Sequence, residues 1–82
     1  MVFVYVLISQ LDSRLYVGLS MDVEKRLHDH KNGRVRSTKP FRPWSLIHTE
    51  SYPDRLSARA REKYLKSGYG KMWLKNKYLN QK

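Results

Sequence analysis

Val2-Phe3-Val4-Tyr5-Val6-Leu7-Ile8 is the stretch on which the fold turns. Nearly every residue in it is β-branched or aromatic, which favours a strand, and apolar side chains do not alternate with polar ones. Such a strand is buried on both faces, so it is predicted to be the central strand of a sheet. Gln10-Leu11-Asp12-Ser13 is polar and turn-forming. Leu15-Tyr16-Val17-Gly18-Leu19 then reads as a second strand, paired with the first as an antiparallel hairpin. Gly18 falls at that strand's end, where it either relieves backbone strain or lets another backbone or a ligand come close.

Working outward, Ser20 is a suitable N-cap, and Asp22 and Glu24 suit the positive end of a helix predicted over residues 21–31. Asn32-Gly33 stops it. Val23 and Leu27 are expected to face the core, with the stem of Lys31 below them. Asp22, Arg26 and His30 form a second line at spacing four, read as polar. From Arg34 to Pro43 the chain is a basic loop that Pro40 and Pro43 keep irregular. Trp44 to Tyr52 reads as a third strand ending before Pro53. Asp54 and Ser57 compete to cap a second helix, expected to run through Leu56, Ala60, Tyr64 and Leu65 to about Lys66 and to stop at Ser67-Gly68. A short last helix over residues 71–79 is expected to dock through Trp73 or Leu74 and Tyr78. The expected architecture is α+β, a small three-stranded antiparallel sheet flanked by helices, in the order β-β-α-β-α-α.

Eighty-two residues leave room for one domain, 1–82. The chain has no cysteine, which removes disulfide staples, thiolate nucleophiles and cysteine-ligated metal sites. Seventeen Lys and Arg against seven Asp and Glu give a formal charge of +10, so the expected partner is a polyanion, nucleic acid first. The apolar run at the N-terminus is too short to span a bilayer, which needs roughly 20 residues, and it lacks the charged start of a signal peptide. No helix combines a broad apolar face with a basic one, as a membrane-surface helix would. The expectation is an intracellular, cytoplasmic protein with no membrane partner.

Two tyrosines on adjacent strands, Tyr5 and Tyr16, could share a face across the hairpin; taken alone they read as core aromatics with hydroxyls at the rim. They are accompanied by Arg26 and His30 on one helical stripe and by Glu62, an isolated acid among Arg59, Arg61 and Lys63. With these pieces the chain resembles the GIY-YIG nuclease superfamily. Phe3-Val4-Tyr5 and Tyr16-Val17-Gly18 stand for the two half-motifs, with ten residues between the tyrosines. Lys25-Arg26-Leu27, His30, Asn32-Gly33 and Glu62 follow in family order. The nearest resemblance is to small stand-alone members related to the nuclease domain of the bacterial excision-repair machinery. Phe3 departs from the first glycine of the pattern, and valines replace both isoleucines.

The resemblance implies a metal-dependent endonuclease hydrolysing DNA phosphodiester bonds, structure-directed, in repair or recombination. Tyr5 and Tyr16 would serve as or assist the general base, and Arg26 would stabilise the scissile phosphate. His30 would assist proton transfer or phosphate contact, and Glu62 would hold one Mg²⁺ or Mn²⁺. Asn76 is the nearest counterpart of an asparagine that many relatives carry near the metal. These roles suit the chemistry. Attack on a phosphodiester builds negative charge that a guanidinium and a cation offset. Mg²⁺ keeps several waters and needs only one or two carboxylates. A free phenol titrates near ~10, so a tyrosine base needs cationic neighbours.

Gly18, Lys25, Arg34, Arg36, Lys39 and Arg42 are the expected nucleic-acid contacts, with Phe41 or Trp44 placed to stack on an unpaired base. DNA is the expected partner, with a repair protein as a second. The rival reading is a nucleic-acid-binding module of the same fold with weak or no catalysis. Each site residue also has a plainer role: Glu62 pairing with Lys66 or Arg59, Arg26 pairing with Asp22, His30 as a surface or buried structural histidine.

Overall fold

Strands form where β-branched and aromatic residues concentrate, and β1 (Val2–Ser9) runs through the middle of the sheet they build. A computed structural model describes residues 1–79. β2 (Leu15–Ser20) and β3 (Trp44–Tyr52) flank β1, both antiparallel to it, in the order β2-β1-β3. α1 (Val23–Lys31) follows β2, and α2 (Arg55–Lys66) and α3 (Gly68–Tyr78) follow β3. This is the expected α+β architecture in the expected order. Residues 80–82, the end of the expected domain, lie outside the described residues.

The sheet is covered on both faces. Val2, Val4 and Val6 point one way and pack with Val17, Ala58, Leu65 and Leu74 of β2, α2 and α3. Tyr5 and Leu7 point the other way and pack with Trp44, Tyr16, and Val23 and Leu27 of α1. Burial of each such side chain contributes roughly 1.5–3 kcal/mol. The continuous apolar run of β1 is therefore the direct signature of a strand with helices on either side.

β3 changes which of its residues face each helical layer by means of a bulge. Val6 pairs with His48 but Leu7 pairs with Leu46, which leaves Ile47 without a partner on β1. One unpaired residue reverses the alternation. Trp44 therefore joins the α1 side with Tyr5, while His48, Glu50 and Tyr52 share the α2/α3 side with Val2, Val4 and Val6.

Several sequence expectations are corrected in detail. α1 starts at Val23, not Met21, and its cap is Asp22, whose side chain accepts from the Lys25 N–H. Ser20 instead makes a small turn before the helix, its Oγ accepting from Asp22 N and donating to Asp22 O. The basic loop is not wholly irregular: Lys39–Phe41 forms one 3₁₀ turn, which Pro40 can enter in its first positions. α2 runs to Lys66 as expected and is capped by Asp54; it buries Ala58 and Leu65, while Leu56, Ala60 and Tyr64 are exposed.

α3 begins at Gly68, three residues earlier than expected, because the Ser67 side chain accepts from Gly70 N. At Gly70 a Cβ would stand 2.1 Å from the Tyr64 carbonyl oxygen, so α2 and α3 can meet this closely only through glycine. The docking residues are Leu74 and Tyr78; Trp73 remains 38% exposed.

A polar clasp closes the α2/α3 side. Arg61 on α2 donates from Nε and Nη2 to the two Glu50 carboxylate oxygens at 2.8 and 3.0 Å. Tyr52 donates to Glu50 Oε1 at 2.6 Å. His48 lies 2.7 Å from Glu50 and 2.5 Å from the Tyr78 hydroxyl of α3. Burial works against the Glu50 carboxylate, but Arg61, Tyr52 and His48 together hold its pKa down at about 2.

Candidate active site

β1 and β2 place the two tyrosines on the α1 face, since Tyr5 pairs with Gly18 and Leu7 pairs with Tyr16. Tyr5 is 1% exposed. Its ring lies across the Gly18 backbone, where a Cβ would sit 2.6 Å from the phenol oxygen. Gly18 is itself buried, so the space its missing side chain leaves is taken by Tyr5.

α1 brings His30 under the sheet. The expected polar line does not hold at this position, because His30 is the helix's buried residue, 0% exposed. Burial is tolerated because both ring nitrogens are satisfied. Nε2 lies 2.9 Å from the Tyr5 hydroxyl, and Nδ1 lies 2.8 Å from Oγ1 of Thr38 in the basic loop. Thr38 in turn donates to the Val35 carbonyl at 3.3 Å, and its own carbonyl accepts the Trp44 indole N–H at 2.8 Å. Thr38 was not singled out from sequence, and no local pattern marks it: its partner is eight residues away, across a turn and a loop.

Arg26 stands one helical turn before His30, partly exposed, with Nη1 3.9 Å from Asp29 instead of beside Asp22. Tyr16, half-buried on the edge strand, places its ring 4.9 Å from His30 and 6.2 Å from Tyr5. Burial raises the Tyr5 pKa above the ordinary phenol value, with Tyr16 adding to the rise and the Arg26 guanidinium opposing it. Burial, then the Arg26 charge, lowers that of His30, while Asp29 opposes. Contact with Tyr5 raises that of Arg26. The resting cluster thus holds neutral Tyr5, neutral His30 and a charged guanidinium.

The structure brings together four of the five expected catalytic and metal-binding residues. Glu62 stands on α2, in the layer covering the other face of the sheet. Ala58 and Leu65 point into that core and Arg61 leans toward β3, so Glu62, about 100° further round the helix, is turned toward the β2 side. Its side chain is 15% exposed and lies 3.2 Å from Lys66 Nζ. Among the described residues no three His, Asp or Glu side chains gather to hold a metal. The donor set fits a Mg²⁺ or Mn²⁺ that keeps its waters and takes a single carboxylate. Asn76 lies on the exposed side of α3.

The expected nucleic-acid contacts divide. Arg36, Lys39 and Arg42 line a shallow basic recess with Lys31, Pro40, Pro43 and Trp44. Lys25 is exposed on α1, and Arg34 is exposed with Nη1 3.7 Å from Asp29. Base stacking on Trp44 is corrected: the indole is 3% exposed and tied to Thr38. Phe41 carries the Arg14 guanidinium 3.4 Å above its ring.

This fold, with a tyrosine on each hairpin strand and an arginine and histidine on the following helix, is that of a nuclease domain. Residues 1–78 match the model of the GIY-YIG catalytic domain, and the chain belongs to that family. Among its relatives are UPF0213 proteins. That of Natronomonas pharaonis is 38% identical over 66 residues, 79% of this chain and 76% of the relative. That of Bacillus velezensis is 39% identical over 61 residues, 73% of this chain and 61% of the relative. The solution NMR structure of a UPF0213 protein from Bacillus halodurans is similar in fold, with a TM-score of 0.57 and 27% identity. The match covers 98% of this chain and 88% of that one.

Proposed function

We propose that this chain is a metal-dependent endonuclease that hydrolyses DNA phosphodiester bonds, directed by DNA structure and acting in the cytoplasm in repair or recombination. The observation that carries the reading is the clustering of Arg26 and Tyr16, both reachable from solvent, over the buried Tyr5–His30 pair. Arg26 binds the scissile phosphate and offsets charge growing on its nonbridging oxygens. Tyr16 is the phenol placed to orient the attacking water. Tyr5 is too deeply buried to meet substrate and acts from behind. Glu62 would hold the divalent ion, which supplies Lewis-acid stabilisation of the phosphate. Arg36, Lys39 and Arg42 bind the DNA backbone, and a repair protein is the second partner.

The test is cleavage of branched, nicked and single-stranded DNA with Mg²⁺ or Mn²⁺. Activity is expected from the wild type and lost in Arg26→Ala, Tyr16→Phe and Glu62→Gln. The place of Glu62 in the opposite layer favours the second reading, a nucleic-acid-binding module of the same fold. Binding with a steep salt dependence and no metal-dependent product would establish that module instead.

A further inference from the structure

The excess of positive charge lies away from the tyrosine cluster. Residues 1–54 carry eight Lys and Arg against six Asp and Glu, whereas residues 55–79, which hold α2 and α3, carry eight against Glu62 alone. Some of these eight are engaged: Arg61 with Glu50, Lys66 with Glu62, and Lys77 over the rings of Trp73 and Tyr78. Lys71 and Lys75, one turn apart on α3, form no ion pair among the described residues. With Arg14 and Leu15 they line a groove of about 520 Å³ between α3 and the β1–β2 turn.

Arg14 is fixed in the wall of that groove. Its Nε donates to Asp12 at 2.8 Å and its guanidinium lies 3.4 Å above the Phe41 ring, so the fork is held in place with hydrogens still to give. Asp12 is the one acid lining the groove, and Arg14 already pairs with it. Phe41 belongs to the 3₁₀ turn Lys39–Phe41, and Lys39 and Arg42 line the basic recess. Leu15 of the groove and Ser45, next to Trp44 of the recess, both pair with Ile8. Groove and recess therefore flank the end of β1, two strand spacings or roughly 10 Å apart.

We propose that the groove between α3 and the β1–β2 turn is a second phosphate site, in which Lys71, Lys75 and Arg14 hold the backbone of the same DNA that lies in the recess. The proposal rests on nucleic-acid binding, which the nuclease and the binding module share. Cations converging from two elements on a concave wall concentrate the field on one strip. Arg55, Arg59 and Lys63, by contrast, stand in a row on the exposed side of α2. A duplex carries one charge per ~1.7 Å of its axis, so a stretch bridging groove and recess brings several phosphates within reach. The groove offers ammonium and guanidinium groups with aliphatic carbon, which grip phosphate and carry no base readout.

The test is fluorescence anisotropy of the full chain with a labelled DNA duplex over a salt series, without metal. Lys71→Ala combined with Lys75→Ala is expected to weaken binding and make the salt dependence shallower by up to ~0.9 for each lysine. Arg59→Ala combined with Lys63→Ala removes the same charge outside the groove and should change the slope much less. Equal losses in the two pairs would show only the general field of the protein and overturn the site. So would a groove variant that binds like the wild type, or a wild type that does not bind. Cleavage with Mg²⁺ measured alongside separates the groove from the nuclease reading. Binding that depends on the groove in a protein that cuts nothing supports the groove and removes the nuclease. Cleavage by the wild type, with binding indifferent to Lys71 and Lys75, does the reverse.

Discussion

Gly18 stands directly across the hairpin from Tyr5, and its hydrogen occupies the point where any other residue would put a carbon 2.6 Å from the phenol oxygen. Gly18→Ala therefore pushes the ring off His30. The expected cost is about 1–3 kcal/mol, read as a lower midpoint in urea, with loss of the Tyr5–His30 hydrogen bond in the NMR spectrum. An alanine variant with unchanged stability and an intact bond would contradict the packing described.

At the meeting of α2 and α3 two glycines make a paired test. Gly70→Ala drives a Cβ into the Tyr64 carbonyl and should destabilise by at least about 1–3 kcal/mol, since backbone on both sides must move. Gly68 has nothing within 4 Å of the same position, so Gly68→Ala should be neutral or stabilise by about 0.5–1 kcal/mol. Thermal unfolding of the two variants gives the comparison.

The Glu50 clasp fixes a pH dependence. Its carboxyl is held at about 2 against an ordinary 4.5, so its stabilisation is complete above the ordinary value and is lost as pH falls through that window. The size is on the order of 2–3 kcal/mol. Glu50→Gln should flatten the stability profile there. His30 acts at a higher pH with the same sign: its pKa is lowered in the fold, so stability declines as pH falls below the ordinary histidine value.

Arg26→Lys is expected to retain charge but lose the planar fork, and cleavage should fall about 10²–10³-fold, with DNA binding far less affected. Single-turnover rates beside binding isotherms distinguish the two effects. Replacing Arg36, Lys39 and Arg42 together by alanine should act the other way, lowering affinity and making the salt dependence shallower by up to ~0.9 for each phosphate no longer neutralised.

The strands were legible in the sequence because composition alone marks them: the unbroken apolar run of β1 announces helices on both sides, and β3 occupies the span 44–52 that its β-branched and aromatic residues define. Tyr5, Tyr16, Arg26 and His30 were legible as a set, and they do meet. The burial of His30 stood only as one of two plainer readings, surface or buried, since a helical wheel sorts residues by polarity, and the partners that satisfy it, Tyr5 and Thr38, are distant in the chain. The buried stripe of α2 was not legible either: Arg61 and Glu62 flank it, Arg61 paired with Glu50 of β3. The clasp itself left a trace that could have been followed, the period-two series His48, Glu50, Tyr52, which sets polar groups on one side of a strand.

The unpaired Ile47 makes β3 a parity device. An even or odd number of residues between Trp44 and His48 decides which of the two helical layers receives the indole. Removing that one residue would leave almost every amino acid in place yet turn Trp44 away from the Thr38 carbonyl it anchors. The integrity of the tyrosine cluster thus depends on counting along a neighbouring strand as much as on the identity of the residues that compose it.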